Sequence, residues 1–240
     1  MEDQLAYLAF MVAHAFSSTL RQMDSRRHAN RWIVATFQMT ANVFQRSAMM
    51  FGLPLIVLSF MSLTSAMAPK PRICTTAAFA ILALSRYLVV SKSSWEMMVI
   101  GYALVTVGHM LYFYSFESMI DEWSIPLSML GTIYYTTLSY HCFADLFTSI
   151  PSLVLLHACA FAASCFLVVA AGSVCERSEQ DYETEQAAYM RLVGAIANVS
   201  SNTIFLLSLF GIRIEGLQIL SRWLFYIAEG LMYLANERTF

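Results

Sequence analysis

The side chains best suited to chemistry in this sequence are ionisable residues that lie inside long apolar stretches. Arg86, His109 and Glu229 each have mainly apolar neighbours along the chain. Charged groups at membrane depth are costly and usually face a cavity or a partner. Histidine and glutamate can take up and release protons, whereas arginine stays protonated. These residues therefore mark where acid–base chemistry or the binding of a polar group would take place.

Helical spacing places these residues on stripes with other polar and aromatic side chains, because positions three, four or seven apart share a helix face. The stripes are Tyr102, Thr106, His109, Tyr112 and Phe116; Tyr134, Thr137, His141 and Asp145; Asn198, Ser201 and Asn202; and Arg222, Tyr226, Glu229 and Tyr233. The residues expected to line an internal polar cavity are Tyr102, Thr106, Tyr112, Asn198, Ser201 and Tyr226.

The same residues also have structural interpretations. Arg222 lies near one end of its apolar stretch, where a long side chain can extend to the headgroup layer. His141 and Asp145 also lie near an end, which favours a hydrated contact over a catalytic pair. For the three ionisable residues named first, the alternative is a buried network that holds helices in register.

The elements that position these residues are eight apolar stretches, each about long enough to cross a bilayer. A transmembrane helix needs roughly 20 apolar residues to cover a hydrocarbon core about 30 Å thick. Continuous apolar character predicts helices, since barrel strands would alternate over only about 10 residues. The sequence therefore predicts an all-α bundle of eight transmembrane helices. The expected spans are 4–20, 47–67, 73–91, 96–116, 125–147, 152–172, 192–210 and 216–235.

Composition agrees with a membrane protein and argues against several other classes. Hydrophobic residues make up 58% of the chain and charged residues only 12%, against roughly 25% charged in ordinary soluble domains. The net charge of −2 offers no basic patch for nucleic acid. The five cysteines lack metal-ligand spacing and form no disulfide framework. We expect no metal, no cofactor and no nucleic-acid partner.

Short connections predict one membrane domain over residues 1–240. Two connections have a distinct character: a basic loop at 21–46 and an acidic loop at 173–191. Within the basic loop, 32–45 has helical spacing but is too short to span, so it is either an interfacial helix or an extension of the second span. The positive-inside rule places the basic loop in the cytoplasm and both termini on the opposite side.

Two neighbouring spans resemble those of the lysoplasmalogenase family, the transmembrane protein 86 or YhhN-like proteins. The segment Ser85-Arg86-Tyr87 is followed by a His109-x-x-Tyr112-x-x-x-Phe116 pattern. In that family a Gly-Asp in one span precedes a similar His-x-x-Tyr-x-x-x-Phe pattern in the next. The resemblance covers roughly residues 48–236.

The C-terminal segment resembles the same family. Ser201-Asn202 occupies the position of a family Ser-Asp, and Tyr226-Ile-Ala-Glu229 the position of a family Tyr-x-Ala-Gln. The resemblance implies an endoplasmic reticulum protein that hydrolyses the vinyl ether of lysoplasmalogens and releases a fatty aldehyde. Such chemistry needs a general acid, a positioned water and a nearby negative charge. Membrane lipids, lysophospholipids or lysoplasmalogens would be its ligands.

The sequence departs from the family at both carboxylate positions, which read Arg86 and Asn202. Arginine cannot donate a proton at neutral pH and asparagine does not titrate. This predicts a catalytically degenerate protein that keeps an amphiphile-binding cavity. The alternative is an active, divergent lysoplasmalogenase that transfers protons through Glu229 with His109 or Asp145. We also expect Arg86 and Glu229 to form a buried ion pair.

Overall fold

The computed structural model describes residues 48–91, 95–144, 146–147, 149–176, 182–210 and 216–240. The expected first span at 4–20, the segment 32–45 and Asp145 lie outside the described residues. The described part of the chain is all-helical and contains no strand.

Seven α-helices and one short 3₁₀-helix make up this part of the chain. The α-helices are α1 (Ala48–Thr64), α2 (Pro69–Ser91), α3 (Trp95–Phe116), α4 (Ile125–Phe143), α5 (Pro151–Cys175), α6 (Tyr182–Phe210) and α7 (Leu217–Thr239). The 3₁₀-helix, Glu117–Met119, directly follows α3.

Prolines and a capping serine mark where several helices begin. Pro69, Pro126 and Pro151 stand in first turns, where the missing backbone N–H has no intrahelical partner to lose. The side chain of Ser124 accepts a hydrogen bond from the backbone N–H of Leu127 and caps α4. The local sequence thus sets these three boundaries.

The largest difference from the expected boundaries lies between α5 and α6. The segment 173–191 was expected to be an acidic loop, but α5 continues to Cys175 and α6 begins at Tyr182. Acidic residues favour the first turn of a helix, where they complement the helix dipole, so the acidic segment extends the helix rather than interrupting it.

Among the described helices, four are long and apolar enough to cross a membrane, which is consistent with an integral membrane protein. These spans are Pro69–Val90, Glu96–Met119, Pro151–Cys175 and Thr184–Ser208, and α1 contributes a shorter apolar helix, Phe51–Thr64. Large apolar side chains such as Phe60 and Ile133 point outward, as expected of a surface that faces lipid.

Six helices form a ring. In the order α1, α2, α3, α5, α6 and α7, each helix contacts the next, and α7 returns to α1. Helix α4 lies outside the ring against α5 and α6. The most extensive contact joins α6 to α7. There, a Cβ at Gly194 would lie only 3.1 Å from the carbonyl oxygen of Ala228, so glycine permits this close approach.

Candidate functional site

His109 is at the centre of a buried polar cluster inside the ring. Its side chain is fully buried, and its Nε2 lies 2.9 Å from the Nδ2 amide of Asn198. Its Nδ1 lies 3.4 Å from Oγ of Ser164, whose hydroxyl donates to the carbonyl of Ala160. The Asn198 amide donates to Nε2, so the ring proton belongs on Nδ1, where Ser164 can accept it.

Asn202 belongs to the same cluster. Its amide Nδ2 donates to Oγ of Ser164 at 2.5 Å and to Oδ1 of Asn198 at 3.3 Å. Helices α3, α5 and α6 are therefore linked through neutral hydrogen-bonding groups. Asn202, which occupies a family carboxylate position in the resemblance, acts here as a hydrogen-bond donor.

Glu229 brings a carboxylate from α7 to this cluster. Its side chain is fully buried, and its Oε1 lies 3.9 Å from Nε2 of His109. Neither carboxylate oxygen has a hydrogen-bond partner. A buried polar group without a partner costs about 1–3 kcal/mol, and more when it is charged. Glu229 is therefore short of hydrogen-bond donors, and a bound molecule or water that supplied one would relieve this cost.

The expected ion pair between Arg86 and Glu229 is not formed. The Arg86 guanidinium instead stacks on Phe225, with Cζ 3.7 Å from the ring centroid. Phe225 precedes Glu229 by four residues, about one helical turn. Helical spacing correctly predicted which faces of α2 and α7 carry Arg86 and Glu229. It could not predict how far along the bundle axis each residue lies. Nε of Arg86 has no hydrogen-bond partner.

Arg86 lies among aromatic residues of neighbouring helices. The ring of Tyr102 lies 3.8 Å from that of His157. The hydroxyl of Tyr226 donates to the backbone carbonyl of Phe51 at 2.7 Å. Both tyrosines are buried and interact electrostatically with Arg86. Two of the residues expected to line a cavity thus lie beside Arg86.

The remaining expected cavity residues have different roles. The Tyr112 hydroxyl donates to the carbonyl of Met232 at 2.6 Å, and the Ser201 hydroxyl to that of Ser221 at 2.6 Å. Both side chains therefore tie helices together. The half-buried Thr106 has a hydroxyl without a hydrogen-bond partner. His141 is exposed on α4 and does not join the cluster.

Sequence reasoning missed a second buried arginine. Arg191 is fully buried, and its Nη2 donates to Oδ1 of Asn236 and to Oγ1 of Thr239, each at 3.1 Å. Its guanidinium also faces the ring of Phe116, with Cζ 4.7 Å from the centroid. It thus lies at the C-terminal ends of α3 and α7, where two helix dipoles favour a positive charge. Its helical spacing to Ala188, Gly194 and Asn198 could have revealed it, had 173–191 not been assigned to a loop.

A groove of about 240 Å³ opens between α4 and α5, away from this cluster. Its walls include Trp123, Ser128, Thr132, Tyr135 and Phe166. None of the residues expected to line a cavity contributes to it. Sequence reasoning did not predict this groove, because its lining contains no Asp, Glu, His, Lys or Arg side chain that would have drawn attention to it.

The buried cluster can bind a polar group or transfer a proton. It combines one carboxylate, one imidazole, two amides and one hydroxyl from four helices. Among the described residues, no three His, Cys, Asp or Glu side chains are grouped as a metal site would require. No family model, curated protein or solved structure matches the chain.

Proposed function

We propose that this chain is a multi-pass membrane protein that binds a single-chain amphiphile of the lysophospholipid class and hydrolyses it poorly or not at all. The observation that carries the proposal is Glu229, whose two buried carboxylate oxygens have no hydrogen-bond partner. A hydroxyl or ammonium group of a lipid would supply the missing donor. The resemblance to lysoplasmalogenases remains part of this proposal, as does the location in the endoplasmic reticulum.

We also propose that 4–20 is an eighth span that precedes the seven described helices, in a single domain. Its support is the length and apolar character of that segment.

The composition of the site favours binding over hydrolysis. Protonation of a vinyl ether and capture of the resulting cation by water need an acid and a negative charge nearby. Asn202 does not titrate, and Arg86 remains protonated. Nε2 of His109, the nitrogen that faces Glu229, already accepts a hydrogen bond from the Asn198 amide. Loss of general acid–base catalysis is typically worth a factor of about 10²–10⁴ in rate.

The second candidate is an active hydrolase in which Glu229 and His109 share proton transfer. The 3.9 Å distance between His109 Nε2 and Glu229 Oε1 favours it. Proton transfer between the two would require them to approach to hydrogen-bonding distance. The hypothesis that Asp145 takes part in proton transfer stays a prediction, because that residue lies outside the described part of the chain.

A binding measurement with the purified full chain in detergent tests the first candidate. We expect a lysophospholipid to bind wild-type protein and Glu229→Gln to weaken binding about tenfold, since one charge-assisted hydrogen bond is lost. Glu117→Gln is the matched control, because Glu117 is exposed and pairs with Lys70. Equal affinities for wild type and Glu229→Gln would rule out Glu229 as the binding group.

Aldehyde release from a lysoplasmalogen separates the two candidates. The binding proposal predicts the same low rate for wild-type protein and Glu229→Gln. Rapid release by wild-type protein that Glu229→Gln and His109→Gln both abolish would instead establish the hydrolase.

A further inference from the structure

We propose that Arg86 and Arg222 together bind the phosphate group of the lipid. The two residues lie near the end of the bundle where α2 ends and α7 begins. This proposal deepens the proposed function, on which it rests for the identity of the ligand. The binding of a phosphate group by the two guanidinium groups is a separate property and can be measured by itself.

Aromatic rings hold both guanidinium groups in place. Cζ of Arg86 lies 3.7 Å from the centroid of Phe225, and Cζ of Arg222 lies 5.0 Å from that of Phe51. Tyr226 connects the two rings: it follows Phe225 directly, and its hydroxyl bonds the backbone carbonyl of Phe51. Stacking fixes a guanidinium plane while leaving its N–H groups available to a ligand.

The two guanidinium groups are held in one part of the bundle, because Phe225 and Tyr226 are adjacent in α7 and the Tyr226 hydroxyl bonds the backbone carbonyl of Phe51. Arg86 and Arg222 interact unfavourably, and each interacts with Tyr226. Neither forms an ion pair with a carboxylate among the described residues; Glu229 attracts Arg86 only from a greater distance. Two cations in one part of the bundle, neither of them paired with a carboxylate of the described residues, create a site that an anion would stabilise. A phosphate suits it best, because guanidinium groups bind phosphate oxygens through paired hydrogen bonds.

The position of the pair favours a lipid over a soluble phosphate compound. Arg222 is exposed and Arg86 is half-buried, so the site begins at the surface and leads inward. Arg222, Tyr226 and Glu229 follow one face of α7, and seven residues of helix rise about 10 Å. A phosphate at the arginine pair would therefore direct the rest of a headgroup along this face toward Glu229.

Snorkelling explains Arg222 alone, since a single arginine near a helix end extends to the headgroup layer. It does not explain why Arg86, on another helix, stacks on Phe225, which lies only three residues from Arg222 in α7. The pair thus distinguishes a phosphate site from ordinary placement of one arginine.

The test compares two lipids that share one acyl chain, a lysophosphatidic acid and a monoacylglycerol without phosphate. We expect the full chain in detergent to bind the phosphate-bearing lipid about tenfold more tightly or better, as one charge-assisted contact would give. Arg222→Gln should remove this preference. Lys70→Gln, which removes one exposed positive charge at the opposite end of α2, should keep it. Arg86→Gln is a second variant. Arg222→Gln is the main test, because a substitution at an exposed residue should leave the fold intact, so that a loss of preference cannot be ascribed to misfolding.

Inorganic phosphate forms a third arm and separates this proposal from the proposed function. Stabilisation by phosphate that Arg222→Gln abolishes and Lys70→Gln retains would support the phosphate site even if neither lipid bound, in which case only the amphiphile proposal would fail. If millimolar phosphate competes with the lipid, free phosphate also enters the arginine site. If it does not compete, the site takes its phosphate from a lipid. Both results support the phosphate site. Equal binding of the two lipids, or no binding of any of the three probes, would overturn it.

Discussion

A carboxylate without hydrogen bonds from the protein costs more free energy inside a helix bundle than on a hydrated surface. Water would satisfy the oxygens of Glu229 at an exposed position, but here they are fully buried and lack partners. The neighbouring His109 is better supplied, since the Asn198 amide and the Ser164 hydroxyl contact its two nitrogens. In this cluster both nitrogens of the imidazole have hydrogen-bonding neighbours, whereas the carboxylate has none. This difference is why we propose Glu229 as the ligand-binding residue.

Removal of the Asn198 amide tests the support of His109. Asn198→Ala should lower the free energy of unfolding by about 1–3 kcal/mol, because a buried imidazole nitrogen and the Asn202 amide each lose a partner. Denaturant titration in detergent would measure the change. Thr132→Ala on the exposed face of α4 is the control, and an equally small effect of both substitutions would contradict this role for Asn198.

At the scale of elements, helical periodicity predicted which residues share a face but not how the faces meet. The stripes of His109, Asn198 and Glu229 do converge, because polar side chains on membrane helices are excluded from lipid and pack in the interior of the bundle. The partner of Arg86 was predicted wrongly, because relative helix height follows from packing rather than from spacing. Ser164 gave no signal, as serine is common on packed helix faces.

Close packing of α6 against α7 places Asn198 beside Glu229, and Gly194 permits it. A Cβ at this position would lie 2.9 Å from Cγ of Met232 and 3.1 Å from the Ala228 carbonyl oxygen. Gly194→Val should therefore destabilise the protein by about 1–3 kcal/mol, as overpacking does, and should weaken lysophospholipid binding. Thermal unfolding in detergent and the binding assay would measure both. Ile196→Ala, on the outer face of the same helix, is the control; a stable Gly194→Val protein with normal binding would refute this packing argument.

For the whole molecule, the sequence predicted the all-helical class and the approximate position of each described helix. The amphipathic helix α7 illustrates what composition alone misses. It is not among the helices that are apolar enough to cross a membrane, yet much of it is buried and it contacts α1, α2 and α6. Its polar residues Ser221, Glu229 and Asn236 are buried, so a hydropathy average underestimates how well it fits a membrane bundle.

Topology tests the proposed count of eight spans. An even number of spans places residues 2 and 239 on the same side of the membrane, so single cysteines introduced there should react with an impermeant thiol reagent from one side only. The five native cysteines would first be replaced by serine or alanine. Labelling of the two positions from opposite sides would exclude an even number of spans.

We propose that an amphiphile binds inside the helix ring, with its polar end beside Glu229. Photo-crosslinking with a lysophospholipid that carries a photoreactive group next to the glycerol, followed by peptide mapping, tests this most directly. We expect labels on α3 and α7 peptides that contain His109 and Glu229, and loss of these labels when unlabelled lipid competes. Labels confined to the α4 and α5 peptides around Tyr135 and Phe166 would contradict it, because the lipid would then occupy the outer groove.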